Sequence, residues 1–211
     1  LAPRCQRREW QPWLPVLESW LEQLLSTPLP LPDAAVPLAD LTDYQAELEF
    51  WFEVADVPVT RLDRLISQQV LPGQSRPALA PQQLGGMLKG FIDLVFEHQG
   101  RYWVADYKSN WLGADDSHYS AAAMQKAVLD KRYDVQYVLY LVALHRLLKA
   151  RLPGYADDPI GGYEQHVGGA LYLFLRGIHE PDLHGCCIDR PAAELIENLD
   201  RLLAGEELAH A

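Results

Sequence analysis

The spacing of apolar and polar positions changes several times along the chain, and each change marks an element. Trp10, Trp13, Leu14, Leu17, Trp20, Leu21 and Leu24 recur at three- and four-residue intervals, which predicts a helix over residues 9–26 with one apolar face. Pro28, Pro30, Pro32 and Pro37 then predict an extended connector, since proline cannot continue a helix. In QAELEFWFEV, residues 45–54, the period drops to two. Leu48, Phe50, Phe52 and Val54 alternate with Glu47, Glu49, Trp51 and Glu53, as in a strand with one buried face. Thr60-Arg-Leu-Asp63 has the spacing of a capping box and predicts a short helix, and the Pro- and Gln-rich residues 72–83 read as loop.

Residues 86–110, GMLKGFIDLVFEHQGRYWVADYKSN, predict two apolar strands joined by a tight turn at His98-Gln99-Gly100-Arg101. Helix formers fill residues 120–151, as one helix or two with a break near Asp130. Tyr133, Tyr137, Tyr140, Leu141, Leu144 and Leu148 form an amphipathic stripe in its second half. GGALYLFLR, residues 168–176, reads as a buried strand, and residues 191–204 as a closing helix with Pro191 in its first turn. Together these elements predict a mixed α/β sheet flanked by helices. An N-terminal helix and connector would occupy residues 1–44, and the core with a C-terminal helix residues 45–211. The first residue is Leu rather than Met, so the expectation is a chain continued upstream.

Composition narrows the function. At 211 residues and 49% hydrophobic, the chain can bury one substantial core. It has no basic-then-apolar leader and no run of eighteen apolar residues, and its three cysteines make no disulfide framework or zinc spacing. A reduced, cytoplasmic protein is the expectation. A net charge of −11 argues against a free-standing nucleic-acid binder, because phosphate affinity comes mostly from Lys and Arg. It leaves room for an enzyme whose substrate is delivered by another domain or subunit.

The chemistry sits in the predicted hairpin. Asp106 and Lys108 project from one face of a strand, roughly 6–7 Å apart at the base. Pairing outward from the turn brings Asp93 beside Asp106. An Asp-x-Lys pair also fits a salt bridge on an edge strand, but the flanks FIDLVF and WVADYKS are too apolar for a solvated edge. Two adjacent carboxylates in an apolar setting repel each other unless a cation neutralises them. Oxygen-only ligation suits Mg²⁺ or Mn²⁺ rather than zinc. Lys108 would then stand beside an attacking water and a phosphate.

GMLKGFIDLVF, YWVADYKSNWLG, RYDVQYVLYLVALHR and GGALYLFLRG together resemble the nuclease domains of RecB-type helicase–nuclease subunits, within the PD-(D/E)XK nuclease superfamily. The resemblance implies a restriction-endonuclease-like fold. It implies Mg²⁺-dependent hydrolysis of DNA phosphodiesters during end processing, recombinational repair and foreign-DNA degradation, with Mn²⁺ or Ca²⁺ as alternative occupants. By position it makes Asp93 and Asp106 metal ligands, Tyr107 a carbonyl ligand and Lys108 the catalytic lysine. Glu47 becomes a further acidic site residue, with Glu49 the alternative, and Gln136 and Tyr140 become the Q-x-x-x-Y pair. It also implies DNA and RecC- and RecD-like subunits as partners, and a histidine ligand from a helix upstream of the acidic strand. No His precedes Glu47, so that ligand is expected before residue 1. There is no Walker A loop, hence no ATP site, and too few cysteines for an iron–sulfur cluster. A catalytically silent nuclease-fold module is the alternative, although such a module would be expected to lose its acidic and lysine positions.

Overall fold

The computed structural model describes residues 1–206. Its centre is a five-stranded mixed sheet in the order β3-β4-β5-β6-β7: β3 (Tyr44–Pro58), β4 (Gln83–His98), β5 (Arg101–Lys108), β6 (Val167–Phe174) and β7 (Cys186–Asp189). All neighbours are antiparallel except β5 and β6. The parallel step needs a crossover, and the helices between residues 121 and 166 supply it. The mixed sheet flanked by helices is the architecture that the pattern predicted.

Two apolar layers cover the sheet. One face packs against α3 (Val59–Gln69), α4 (Ala121–Asp130), α5 (Tyr133–Arg151), α6 (Pro159–His166) and α7 (Ala193–Leu203). The other receives α2 (Leu14–Ser26) and a short ladder of β1 (Pro28–Leu29) with β2 (Val36–Pro37), and α1 (Ala2–Arg7) precedes them. Leu24, Leu29, Leu31, Val36 and Leu41 there close over Phe96, Trp103, Leu171 and Leu173. Side chains between Trp20 and Leu41 thus supply the second layer over the sheet. Of the predicted core, 207–211 lie outside the described residues.

The local reading needs several corrections. The helix predicted over 9–26 begins at Leu14, after a 3₁₀ turn at Gln11–Trp13, since Pro12 and Pro15 suit only a first turn. Trp10 and Trp13 therefore leave the apolar face and are exposed. α3 starts at Val59 with no side-chain cap; Asp63 instead accepts the Leu79 N–H and pairs with Arg132. Pro191 precedes the N-cap of α7 rather than lying in its first turn. The open choice over 120–151 resolves to two helices, because Arg132 adopts a left-handed conformation (φ 56°) between α4 and α5. α5 is buried well beyond one stripe, with Val138, Val142 and His145 also inside, because it is sandwiched between the sheet and α3, α4 and α7.

The hairpin turn is Gln99-Gly100, both with positive φ (54° and 77°), between paired His98 and Arg101. Two left-handed residues suit the twist of the flanking strands, and glycine carries the second at no steric cost. That turn sets the β4–β5 register.

Candidate active site

β5 is the middle strand of the five, so Asp106 and Lys108 do not lie on an edge. They are 6% and 8% exposed, buried under α5. The Lys108 ammonium pairs with Asp106 Oδ1 and donates to Gln136 Oε1 at 2.8 Å. Tyr172 OH donates to the same oxygen at 2.8 Å, while Gln136 Nε2 donates to Tyr140 OH at 2.8 Å and reaches Asp106 Oδ2 at 3.5 Å. Two donors meeting one oxygen fix which way the Gln136 amide faces. The four-residue spacing of Gln136 and Tyr140 puts both on the helix face above Asp106.

Tyr140 is seated from below. Gly90 lies opposite Phe50, and a Cβ there would come within 2.5 Å of the Phe50 ring. The missing side chain lets that ring lie across β4 and meet Tyr140 edge-on, centroids 5.9 Å apart. Glycine in GMLKGFID is thus linked to the site.

Asp93 enters where the sheet opens. β4 and β5 are bridged from His98–Arg101 as far as Leu94–Ala105. Beyond that point the Asp93 carboxylate replaces the strand, its Oδ2 accepting the Tyr107 N–H at 2.9 Å. Glu47 lies opposite Asp93 on β3, between the paired positions Ala46–Leu94 and Leu48–Ile92. Its φ of 51° interrupts an otherwise extended strand. A glutamate in the left-handed region costs about 1–3 kcal/mol and persists only where its surroundings impose it. Glu49 is committed elsewhere, 2.7 Å from Lys89.

The electrostatics are unbalanced. Burial pushes the Asp106 carboxyl above the ordinary carboxylate range; Lys108 pulls it back, and the Asp93 charge raises it again. Burial and then the Asp106 charge push the Tyr140 hydroxyl up to about 12. Lys108 is the one cation paired with Asp106, and the Asp93 carboxylate lies within electrostatic reach of that pair. The oxygen donors of Asp93, Asp106 and Glu47, with the Tyr107 carbonyl on the strand of Asp106, fit a hard divalent cation. Asp106, Lys108, Gln136 and Tyr140 are joined by hydrogen bonds, and Asp93 stands within electrostatic reach of Asp106 and Tyr140. Glu47 is not joined to them by a hydrogen bond among the described residues, nor do the three carboxylates converge within 4.8 Å.

Two site residues escaped the sequence reading. Tyr133 and Tyr172 present their rings to the Lys108 ammonium, 4.0 and 4.5 Å from centroid to Nζ. Tyr133 stands three residues before Gln136 on α5, a spacing that could have flagged it. Tyr172 sits in an uninterrupted buried strand and gave no signal.

A second acidic group lies farther along α5, where His145, Glu197 and Asp200 bring ligand atoms within 4.8 Å of one another. It is already neutralised. Lys149 Nζ lies 2.6 Å from Glu197 and 2.7 Å from Asp200, and Arg146 also pairs with Asp200.

Comparison with known proteins gives the family. The sequence pattern of the PD-(D/E)XK nuclease superfamily matches residues 17–207. The RecBCD enzyme subunit RecB of Escherichia coli (strain K12) is 43% identical over 201 residues, covering 94% of this chain and 16% of that subunit. The RecB subunit of Haemophilus influenzae is 38% identical over 188 residues, 87% of this chain and 15% of its own length. That of Mycolicibacterium smegmatis is 35% identical over 221 residues, 90% of this chain and 20% of its own. The chain therefore spans about one-sixth of the length of the first two relatives. Among the described residues, no helix is long and apolar enough to cross a membrane.

Proposed function

The chain belongs to the PD-(D/E)XK nuclease superfamily, and from that premise we propose that it is the metal-dependent, DNA-cutting domain of a RecB-type helicase–nuclease subunit. The observation that carries this reading is the unbalanced site: Asp93 and Asp106 side by side, Asp106 raised by burial and by its neighbour, and one lysine between them and Gln136.

In this reading Asp93, Asp106 and the Tyr107 carbonyl hold a divalent cation, Mg²⁺ in the first instance, with Glu47 reaching in across the ladder. Such a cation, when bound, screens the phosphodiester charge and acidifies a water. The chain's own residues do the rest. Lys108 spends two of its three N–H groups on Asp106 and Gln136, leaving one for the attacking water or a phosphate oxygen. Its fixed positive charge steadies the negative charge that grows on phosphorus-bound oxygens as the bond forms. Gln136 holds the lysine, and Tyr140 holds Gln136. A hydroxyl raised to about 12 stays protonated at neutral pH, so Tyr140 serves as a hydrogen-bonding group rather than a base.

The acidic balance of −11 fits a domain to which DNA is fed rather than one that captures it unaided. The relatives' printed name, RecBCD enzyme subunit, supports RecC- and RecD-like partners, and the motif resemblance extends the reading to exonucleolytic end processing and recombinational repair. The test is cleavage of linear DNA by this chain with Mg²⁺ and with chelator, beside Asp106→Ala and Lys108→Ala. Metal-dependent cutting lost in both variants is expected. An Asp106→Ala chain that cuts as fast as its parent would overturn the assignment.

A further inference from the structure

The Lys108 ammonium is held by more than its two hydrogen bonds. Its side chain is 9% exposed, and the Tyr133 and Tyr172 rings lie 4.0 and 4.5 Å from Nζ. The two rings touch each other at 5.6 Å between centroids, inclined by 55°. We propose that Tyr133 and Tyr172 are positioning residues, an aromatic corner that clamps the Lys108 ammonium toward the phosphodiester. The proposal rests on the nuclease reading above and adds to it the device that fixes the lysine.

Three features make this a built arrangement. Tyr172 pairs in register with Asp106 across β5 and β6, so one step of the parallel ladder presents the ring and the carboxylate together. Tyr133 is the first residue of α5, and the left-handed Arg132 before it sets where that helix begins. Arg132 is itself tied down by Asp63 at 2.7 Å and Asp134 at 3.1 Å. The Tyr172 hydroxyl then bridges both elements, lying 3.0 Å from Tyr133 O and 2.8 Å from Gln136 Oε1, with its one proton shared between these acceptors. Strand and helix are thus pinned to each other at the point where the ammonium sits between their rings.

The corner answers a problem of burial. An ammonium under α5 loses most of its water, and two hydrogen bonds replace only part of it. Two π faces supply negative potential where no further carboxylate is needed. A third carboxylate in that position would hold the lysine more tightly but would cancel the charge that the phosphate requires. Aromatic rings stabilise the cation without neutralising it.

Substitutions at the two tyrosines separate ring from hydroxyl. Tyr133→Phe keeps the π face and should cut DNA within about twofold of the parent chain, whereas Tyr133→Leu should lower kcat roughly tenfold. KM for DNA and the Mg²⁺ concentration for half activation should stay put. Tyr172→Phe keeps its ring but releases Gln136, and should fall between the two. Thermal melting shows whether each variant is folded.

The second readout does not involve cleavage. The ε-methylene protons of Lys108, identified in ¹³C-lysine NMR spectra by their loss in Lys108→Met, should be shifted upfield by the ring faces in the parent chain and in both Phe variants. Tyr133→Leu should reduce that shift. An unshifted Lys108 signal in the parent would remove the corner itself. A shift lost in Tyr133→Leu with kcat unchanged would leave the contact without a positioning role, and the proposal would fall. So would equal losses in Tyr133→Phe and Tyr133→Leu. If Lys108→Met cuts as well as the parent while the upfield signal is present, the nuclease assignment of the lysine fails and the positioning role goes with it.

Discussion

Two buried polar clusters touch α5, and they look alike until their charges are summed. Toward its N-terminal end Gln136 and Tyr140 meet Asp106, Lys108 and Asp93; toward its C-terminal end His145, Arg146 and Lys149 meet Glu197 and Asp200. About 13 Å of helix axis separates Gln136 from His145. Only the second group draws a histidine and two carboxylates into metal-like proximity. Its carboxylates are nevertheless satisfied. Burial raises Glu197 and Asp200, but bonds from Lys149 outweigh it, helped by His145 and Arg146 respectively, so both sit below the ordinary carboxylate range. Asp106 goes the other way and sits above it. The difference teaches that acids drawn close together can be fully paired within the fold, while a more dispersed group keeps fewer cations than carboxylates. One cluster ties α5 to α7 through paired charges, and the other sets two carboxylates against one lysine.

The largest effect that would separate them is catalytic. Asp106→Ala should lower DNA cleavage by about 10²–10³, the range for losing one preorganised electrostatic group. Asp200→Asn should cut normally per folded molecule, and loss of its specific activity in a folded chain would erase the distinction. The next effect is on stability. Asp200→Ala takes the carboxylate from Arg146 and leaves Lys149 only Glu197, and should cost about 2–3 kcal/mol in urea titrations, the scale of a charged hydrogen bond; Gln136→Ala, at the other cluster, should cost less.

Smaller still is stabilisation by cation. Mg²⁺ at ten times its dissociation constant should add about 1.4 kcal/mol, or roughly 3–6 °C in Tm for a chain of this size. Asp93→Asn or Asp106→Asn should abolish that shift, while Glu197→Gln should keep it; the reverse pattern would move the cation to the other cluster. The smallest effect is titration of His145. Burial holds its pKa below the ordinary histidine value even though Glu197 pulls it up. The unfolded chain therefore takes up this proton first, and stability should fall as pH drops through about 6.5. His145→Gln should flatten that limb in urea midpoints measured between pH 7.5 and 5.5. Farther down, the lowered Glu197 and Asp200 contribute stability that is lost as they protonate below the ordinary carboxylate range.

Much of the first cluster was legible because strands and helices have fixed periods. The two-residue turn at Gln99-Gly100 sets the register, and counting outward from it brings Asp93 to Asp106. Likewise Gln136 and Tyr140 share a face because four residues nearly close a helical turn. Helix ends were read less well. Pro12 and Pro15 delayed α2 to Leu14, and the Asp63 that looked like a cap serves the Arg132 ion pair instead. Caps depend on which backbone groups the tertiary fold leaves unmet, so a four-residue pattern cannot specify them.

The sequence by itself determined four strands of the sheet, the hairpin register and the identity of the charged intruders, since these follow from local period and from residues only a few positions apart; β7 (Cys186–Asp189) was not legible in it. Tertiary structure alone decided their environment. It set Tyr172 beside Asp106 through a crossover of some sixty residues, folded Glu47 into a left-handed kink opposite Asp93, and gave Glu197 and Asp200 two cations to share while Asp106 pairs with Lys108 alone. Charge balance at a buried site is a sum over neighbours far apart in the chain, and only the folded packing fixes that sum.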